Sequence, residues 1–591
     1  MPAALTKDKD NPSGALAQLR SLLPSLADSA ERRTVILLSI GIVIVIGATA
    51  VGQIRLNVWQ GSFYDALEQK NLPAFAWQLL VFLIIVSILL VLVVSQTLLH
   101  ELLKVRLREW LTRDLLDEWL VPGRAHRLQF AGEIGVNPDQ RMQEDARHLT
   151  ELTAGLSVGF LQATLLLLSF LGVLWVLSAQ VVFVVGGSSF SIPGYMVWSA
   201  LAFALAGSWL TWLVGRPLIQ LHGARYGQEA ELRFALVRDS EHAEGIALYG
   251  GEADERRLIE GIFCRLTDTM RGLAYRLTKL TWITSGHGWL ALVVPIVVAA
   301  PGYFGGSLSF GGLMMVVGAF YQVQQSLRWF VDNFAGIADW RATLSRVVTF
   351  RDALLTLEQI HHNVPNIEVA NHPAGNLALE NVTLSLPEGA AALDEAQIEV
   401  LPGERVLIVG EPHSGKTALV LALAGLWPWG TGKILVPPRD SMHFIYERPY
   451  LPLGTLRSAV AYPLQPGGFD DAAIRSALQQ VGLDYLVSSL DRDERWDRML
   501  SLDEQQRLAF ARLLLQRPKW AFLDDALSAL EPRHRQQLMD FFNGPLAGTS
   551  VICTCRTPAH DGFYSRTFNL HRVPKGPRLP LRPRESSKHG R

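Results

Sequence analysis

Apolar and charged positions along the chain separate into long blocks. Four stretches carry no Asp, Glu, Lys or Arg: 34–54, 71–100, 152–215 and 280–327. A bilayer core takes about 20 apolar residues per helix, so the first two stretches predict one span each and the last two a pair of spans each, six in all. Gly186-Gly187-Ser188-Ser189 with Pro193-Gly194 marks the outer hairpin of the first pair, and Pro301-Gly302 with Gly305-Gly306 that of the second. Water-soluble cores rarely sustain charge-free runs of this length, which argues against buried helices of a soluble protein.

The flanks orient these spans. Arg32 and Arg33 precede the first, Lys104, Arg106 and Arg108 follow the second, Arg216 follows the fourth, Arg276 and Lys279 precede the fifth, and Arg328 follows the sixth. All fall on one side, which places both termini in the cytoplasm. Residues 14–26 read either as an amphipathic helix on the membrane surface or as a disordered tail. Polar helical intervals of roughly 50 and 60 residues between spans two and three and between four and five project into the cytoplasm. From Leu377 short apolar strands alternate with helices, as in a parallel-sheet domain. The expected organisation is an N-terminal segment over 1–30, a membrane α-helical six-span domain with cytoplasmic extensions over 31–358, a linker over 359–375, a cytoplasmic α/β domain over 376–571, and a basic disordered tail over 572–591.

Composition narrows the partners. With 54 Lys and Arg against 55 Asp and Glu, there is no basic excess to attract nucleic acid. Three cysteines, Cys264, Cys553 and Cys555, do not make a disulfide framework, and Cys553-x-Cys555 lacks companion metal ligands. The charge-free stretches hold no carboxylate that could carry protons through a bilayer, and His287, well inside a predicted span, reads as a structural histidine.

Chemistry concentrates in "RVLIVGEPHSGKTALVLALAGLW". The strand Val406–Val409 runs into Gly410-x-x-x-x-Gly415-Lys416-Thr417 and then a helix, the context in which a phosphate loop is credible. Backbone N–H groups from Gly410 through Ser414 and Gly415 would cradle phosphates, Lys416 would reach the outer ones, and Thr417 would ligate Mg2+. A nucleotide is the cofactor these residues point to.

Downstream, "LSLDEQQR", "FLDD" and "SALEP" resemble the signature, Walker B and D-loop of ABC transporters. "LNVWQGSFYDAL", "NPDQRMQED", "EHAEGIALYGGE", "AGLWPWGTGKI" and "ERPYLPLGTLR" resemble one branch of that family, the half-transporters that include YddA-like and BacA/SbmA-related bacterial proteins and the peroxisomal fatty-acyl transporters. The resemblance covers nearly the whole chain. It implies a permease fused to an ATPase, working as a homodimer or a heterodimer in the bacterial inner membrane. Each nucleotide would be held between the phosphate loop of one copy and the signature of the other. Asp524 would then hold Mg2+, Asp525 would stand where a Glu polarises attacking water, and Ser501 would meet the γ-phosphate across the interface. The solute implied is amphipathic, peptide-like, cobalamin-like or acyl.

Four positions depart from the family pattern: Glu447 replaces a Gln, Asp503 the signature Gly, Asp525 the catalytic Glu, and Cys555 the switch His. Asp is one methylene shorter than Glu, Asp503 brings negative charge to a helix start meant for phosphate, and a thiol is a weaker donor than imidazole. His560 is a candidate stand-in for the missing switch. These changes imply slowed hydrolysis with ATP binding kept. They leave two readings open, an ATP-driven transporter and a nucleotide-binding membrane sensor or scaffold without turnover.

Overall fold

The structure is a computed structural model and describes residues 14–573 apart from 129–137, 182, 186–187, 191, 357–364, 388, 465 and 556–561. The chain forms two compact units, Met1–Glu118 with Asn137–Asp352, and Trp119–Val136 with Ala353–Arg591.

The first unit is built on long helices: α1 (Ala15–Asp28), α2 (Arg32–Glu68), α3 (Leu72–Trp119), α4 (Ala146–Ser178), α5 (Tyr195–Glu241), α6 (Glu252–Phe304), α7 (Phe310–Asp332) and α8 (Phe334–Thr356). Helices α3 and α5 run from apolar stretches into charged ones, and α6 from a charged stretch into an apolar one, without a break, because the Leu-, Arg- and Glu-rich intervals keep high helix propensity. Among the described residues five helices are long and apolar enough to cross a membrane: α2, α3, α4 with the turns before it, α5 and α6. Helix α7 occupies the place of the sixth predicted span but falls short of their apolarity. Its Leu313, Val316, Ala319, Phe320 and Val323 are buried, Gln322 and Gln324 are half-buried beside them, and Gln325 is exposed. A helix packed among other helices needs less apolar surface than one facing lipid. The most apolar window of α3, by contrast, is wholly unburied.

The first outer hairpin is a small antiparallel ribbon, Phe183–Val185 against Ser188–Phe190. The second turns later than its Pro-Gly signal suggested, since α6 continues through Pro301 to Phe304 before the chain reverses at Gly305 and Gly306. Helix α1 is ordered: Leu22 is buried and Trp110 Nε1 donates to Ser25 Oγ at 3.2 Å. Residues 1–13 of the expected N-terminal segment lie outside the described residues.

Two of the motifs prove to be helix joints. In "LNVWQGSFYDAL", Asp65 Oδ1 accepts from the Gly311 N–H at 2.7 Å and Asn57 Nδ2 donates to the Met315 carbonyl at 3.1 Å, locking α2 onto α7. In "NPDQRMQED", residues Arg141–Asp145 form a π-helical turn. There the buried Asp145 carboxylate takes bonds from Arg141 and from Arg346 of α8, the latter at 2.9 Å. Burial pushes that carboxyl up, but the two guanidinium groups outweigh it and hold it below the ordinary range.

The second unit centres on a sheet of ten strands: β1 (Glu368–Asn371), β2 (Leu377–Leu386), β3 (Gly389–Leu393), β4 (Gln397–Val400), β5 (Arg405–Val409), β6 (Gly430–Val436), β7 (Met442–Tyr446), β8 (Trp520–Asp524), β9 (Ser550–Cys555) and β10 (Arg566–Val573). Their order is β1-β6-β2-β3-β10-β5-β9-β8-β7, with β4 beside β2. Strands β7, β8, β9, β5 and β10 are mutually parallel. The helices α9 (Lys416–Leu423), α10 (Leu502–Gln516) and α11 (Pro532–Asp540) connect them. All five residues of β8 are buried, and Trp520–Leu523 form the continuous apolar run expected of a strand covered on both faces. Trp427 and Trp429 of "AGLWPWGTGKI" pack edge to face within the core.

Three expected boundaries shift. The short helix Arg124–Leu128, with Leu128 buried, groups with the sheet unit and not with the membrane helices. Asn366 already bridges to Trp429 and β1 follows, so the sheet begins inside the stretch assigned to the linker. Strand β10 runs to Val573, which takes Arg572 and Val573 out of the tail. Residues 359–364 of the linker and 574–591 of the tail lie outside the described residues.

Candidate nucleotide site

Parallel pairing sets four strand ends in one row. Tyr446 lies opposite Asp524, Asp524 opposite Thr554, and Cys555 opposite Val409. Glu447, Asp525, Cys555 and Gly410 therefore leave the sheet together at its C-terminal edge, where open α/β sheets bind ligands. Most of the residues singled out in the sequence are brought together by this register.

The phosphate loop needs its glycines for different reasons. A Cβ on Gly410 would collide with Ser414 Oγ and the Leu570 carbonyl, while Gly415 has φ +99° and sits against Ala391 and Leu386. Ser414 is 2% exposed, and its Oγ has no hydrogen-bond partner among the described residues. A buried hydroxyl without a partner is costly unless something else bonds to it. Lys416, also buried, donates from Nζ to the Gly410 carbonyl at 2.7 Å and the Glu411 carbonyl at 3.1 Å. An orphan hydroxyl, a buried ammonium and the free N–H groups opening α9 fit a chain of phosphates.

Beside them Asp524 is buried at 4% exposure and accepts from Thr554 Oγ1 at 2.7 Å. Burial pushes its carboxyl up. Hydrogen bonds from Thr554 and Thr417 and the charge of Lys416 oppose that push, and the Asp525 charge adds to it. The Thr417 hydroxyl and Asp524 carboxylate offer two oxygen ligands, which suits a magnesium ion that takes the rest from phosphate and water. Among the described residues no group of three or more His, Cys, Asp or Glu is arranged to hold a metal alone.

Asp525 is half-buried with φ +48°, and its N–H donates to Thr554 Oγ1 at 3.2 Å. One threonine hydroxyl thus fixes both acids, a role that sequence reasoning missed because it depends on strand register. Cys555 is half-buried at the end of β9, whereas His560 lies outside the described residues. Glu447 is exposed, and its carbonyl accepts from Gln506 Nε2 at 2.8 Å.

Ser501 stands apart from the phosphate loop, as the N-cap of α10. Its Oγ accepts from the Glu504 N–H at 3.3 Å, and the Glu504 carboxylate in turn takes the Ser501 N–H at 2.8 Å. Tyr485 donates to the same carboxylate. Asp503 does bring a carboxylate to the first turn of this helix, and its neighbours offset the charge. Arg507 Nε donates to its carboxylate at 2.8 Å, His534 Nδ1 at 3.1 Å and the Glu531 N–H at 3.3 Å. Burial pushes the Asp503 carboxyl up, and these partners together hold it below the ordinary range.

Known proteins resemble the chain at both levels. Residues 19–304 match the family model described as ABC transporter transmembrane region 2, and residues 393–528 match that of the ABC transporter. The inner membrane ABC transporter ATP-binding protein YddA of Escherichia coli K12 is 31% identical over 89% of this chain and 92% of its own length. ABC transporter D family member 2, chloroplastic, of Arabidopsis thaliana is 29% identical over 82% of this chain and 76% of its own. A bacterial Atm1-family ABC exporter solved with ATP bound superposes with a TM-score of 0.67 at 18% identity, covering 90% of this chain and 92% of that one, a likeness of fold.

Proposed function

The chain belongs to the ABC transporters, as a half-transporter that carries its own membrane region and ATP-binding domain, and from that premise we propose that two copies clasp MgATP to drive an amphipathic solute across the bacterial inner membrane. The fused organisation and the kinship with YddA and the D-family transporters support this reading. Peptide-like, cobalamin-like and acyl solutes are the candidate cargoes, and both termini face the cytoplasm.

Ser414, Lys416 and the opening turn of α9 bind the phosphates. Thr417 and Asp524 would hold Mg2+, which when bound neutralises phosphate charge. Asp525 would orient water, Glu447 would serve the metal from the neighbouring strand end, and Ser501 of a second copy would complete the site. The observation that carries the reading is the partnerless buried hydroxyl of Ser414 beside Lys416 and Asp524 at one sheet edge.

The short Asp525 and the thiol of Cys555 favour weak turnover and keep a second reading in play, a nucleotide-gated sensor or scaffold. Phosphate release from the purified protein separates the two. Turnover lost in Lys416→Ala supports the pump. A nucleotide-bound dimer with no turnover supports the sensor, and absence of any MgATP binding rejects both.

A further inference from the structure

We propose that Arg572 is a positioning residue for the phosphate loop, holding the His413 peptide in the left-handed conformation that the loop requires; this rests on reading Gly410–Thr417 as the nucleotide cradle. His413 has φ +62°. Residues with a Cβ enter that region at a cost, because the side chain crowds the following carbonyl, and glycine would enter it freely. The loop nevertheless places a histidine there, so something else must favour the conformation.

The support comes from β10. Arg572 Nε donates to the His413 carbonyl at 3.0 Å. The backbone from which Arg572 reaches is itself fixed on two sides. Strand β10 pairs in parallel with β5, the strand that feeds the loop, with Asn569 opposite Val409. It pairs antiparallel with β3, where Arg572 lies opposite Ala391, and Ala391 is the residue lying against Gly415. The Asp394 carboxylate takes two bonds from Asn569, at 3.0 and 3.2 Å, pinning the strand shortly before it reaches Arg572. Arg572 therefore extends from the strand beside β5 and bonds the one non-glycine residue of the loop with positive φ. Its action is preorganisation: the N–H groups are set before phosphate arrives, so less of the binding energy is lost to ordering them.

The test is a double-mutant cycle on the full chain in nanodiscs, reading Kd for a fluorescent ATP analogue with magnesium. Arg572→Ala is expected to weaken binding about fivefold to tenfold with His413 in place. In the His413→Gly background, where glycine adopts the conformation unaided, the same change is expected to cost less than about twofold. Equal losses in both backgrounds would overturn the proposal, since Arg572 would then act on the nucleotide directly. No loss with His413 in place would overturn it too. If the alanine variant does not fold, Arg572→Met, which keeps the aliphatic stem, goes through the same cycle, and the same two results overturn the proposal. Absence of binding by the unmutated chain would overturn the nucleotide reading along with this one, whereas equal losses overturn this one alone.

Discussion

The Asp503 carboxylate accepts from Arg507 Nε at 2.8 Å, one turn further along the same helix, and both side chains are largely buried at 19% and 9% exposure. Without Arg507, Asp503 still keeps His534 and the Glu531 N–H, so Arg507→Ala is expected to destabilise the sheet unit by about 2 kcal/mol, the loss of one charged hydrogen bond, in thermal or chemical denaturation. The pair also sets a pH dependence. The folded-state value of Asp503 is depressed, so its stabilising contribution is complete above the ordinary carboxylate value of about 4 and is lost as pH falls below it. Asp503→Asn should flatten that acid limb of the stability profile. An unchanged limb would show that other carboxylates produce it.

Thr554 is expected to be the residue on which magnesium affinity turns. Its hydroxyl donates to Asp524 and accepts from the Asp525 N–H, so Thr554→Val loosens the proposed metal ligand and the neighbouring acid at once. Partners of this kind are commonly worth about tenfold or more in metal affinity. Isothermal titration should show MgATP binding about tenfold weaker and metal-free ATP binding nearly unchanged. Because burial raises the Asp524 carboxyl and the metal needs it ionised, MgATP affinity should fall in acid from a pH above the ordinary carboxylate value. The valine variant removes a bond that lowers that value, so its loss should begin at higher pH. Equal losses with and without magnesium would contradict this assignment.

What the sequence made legible was whatever lives on one segment. The phosphate loop is readable because strand, glycine spacing and helix are contiguous, and the spans because charge is excluded over whole stretches. Thr554 and Arg572 are not readable, because their roles come from register between strands far apart in sequence. Arg572 is also hidden by its neighbours, since the Arg- and Pro-rich residues after it make it look like the start of a tail. Asp503 misleads for the opposite reason. Its charge is plain, but the compensation by Arg507 and His534 needs a helix period on one side and a fold on the other. The helix at the sixth predicted span is found by the absence of charge over 280–327, while its low apolarity goes with the burial of one face among helices, which composition does not show.

Gly311 tests the joint between α2 and α7. A Cβ there would press on the Gly61 carbonyl and the Asp65 carboxylate, the group that accepts the Gly311 N–H. Overpacking of a close helix contact costs about 1–3 kcal/mol. Gly311→Ala should therefore lower the melting temperature of the detergent-solubilised protein. Gly312→Ala should not, because the added methyl would meet nothing closer than 3.4 Å. Equal effects of the two would mean that helix propensity, and not contact with α2, governs this turn.

In the site proposed for two clasped copies, the weakest part is the reach of Asp525, and that can be repaired. Asp525 leaves β8 in a left-handed conformation with its N–H tied to Thr554, so its backbone cannot advance to make up for the missing methylene. Asp525→Glu restores the length without disturbing that bond. By itself it should raise phosphate release only modestly, because Cys555, at the end of β9, still offers a weak donor where charge develops on the γ-phosphate. Adding Cys555→His supplies an imidazole donor from the neighbouring strand end. The two groups act on the same transferring phosphate, so their effects should exceed the product of the single changes. The double variant is expected to hydrolyse ATP at least about tenfold faster than the unmutated chain, since positioning a base is worth about a hundredfold or more. MgATP affinity should stay within about twofold, because neither residue carries the phosphate cradle. A double variant no faster than the unmutated protein would place the defect elsewhere, in the signature of the second copy.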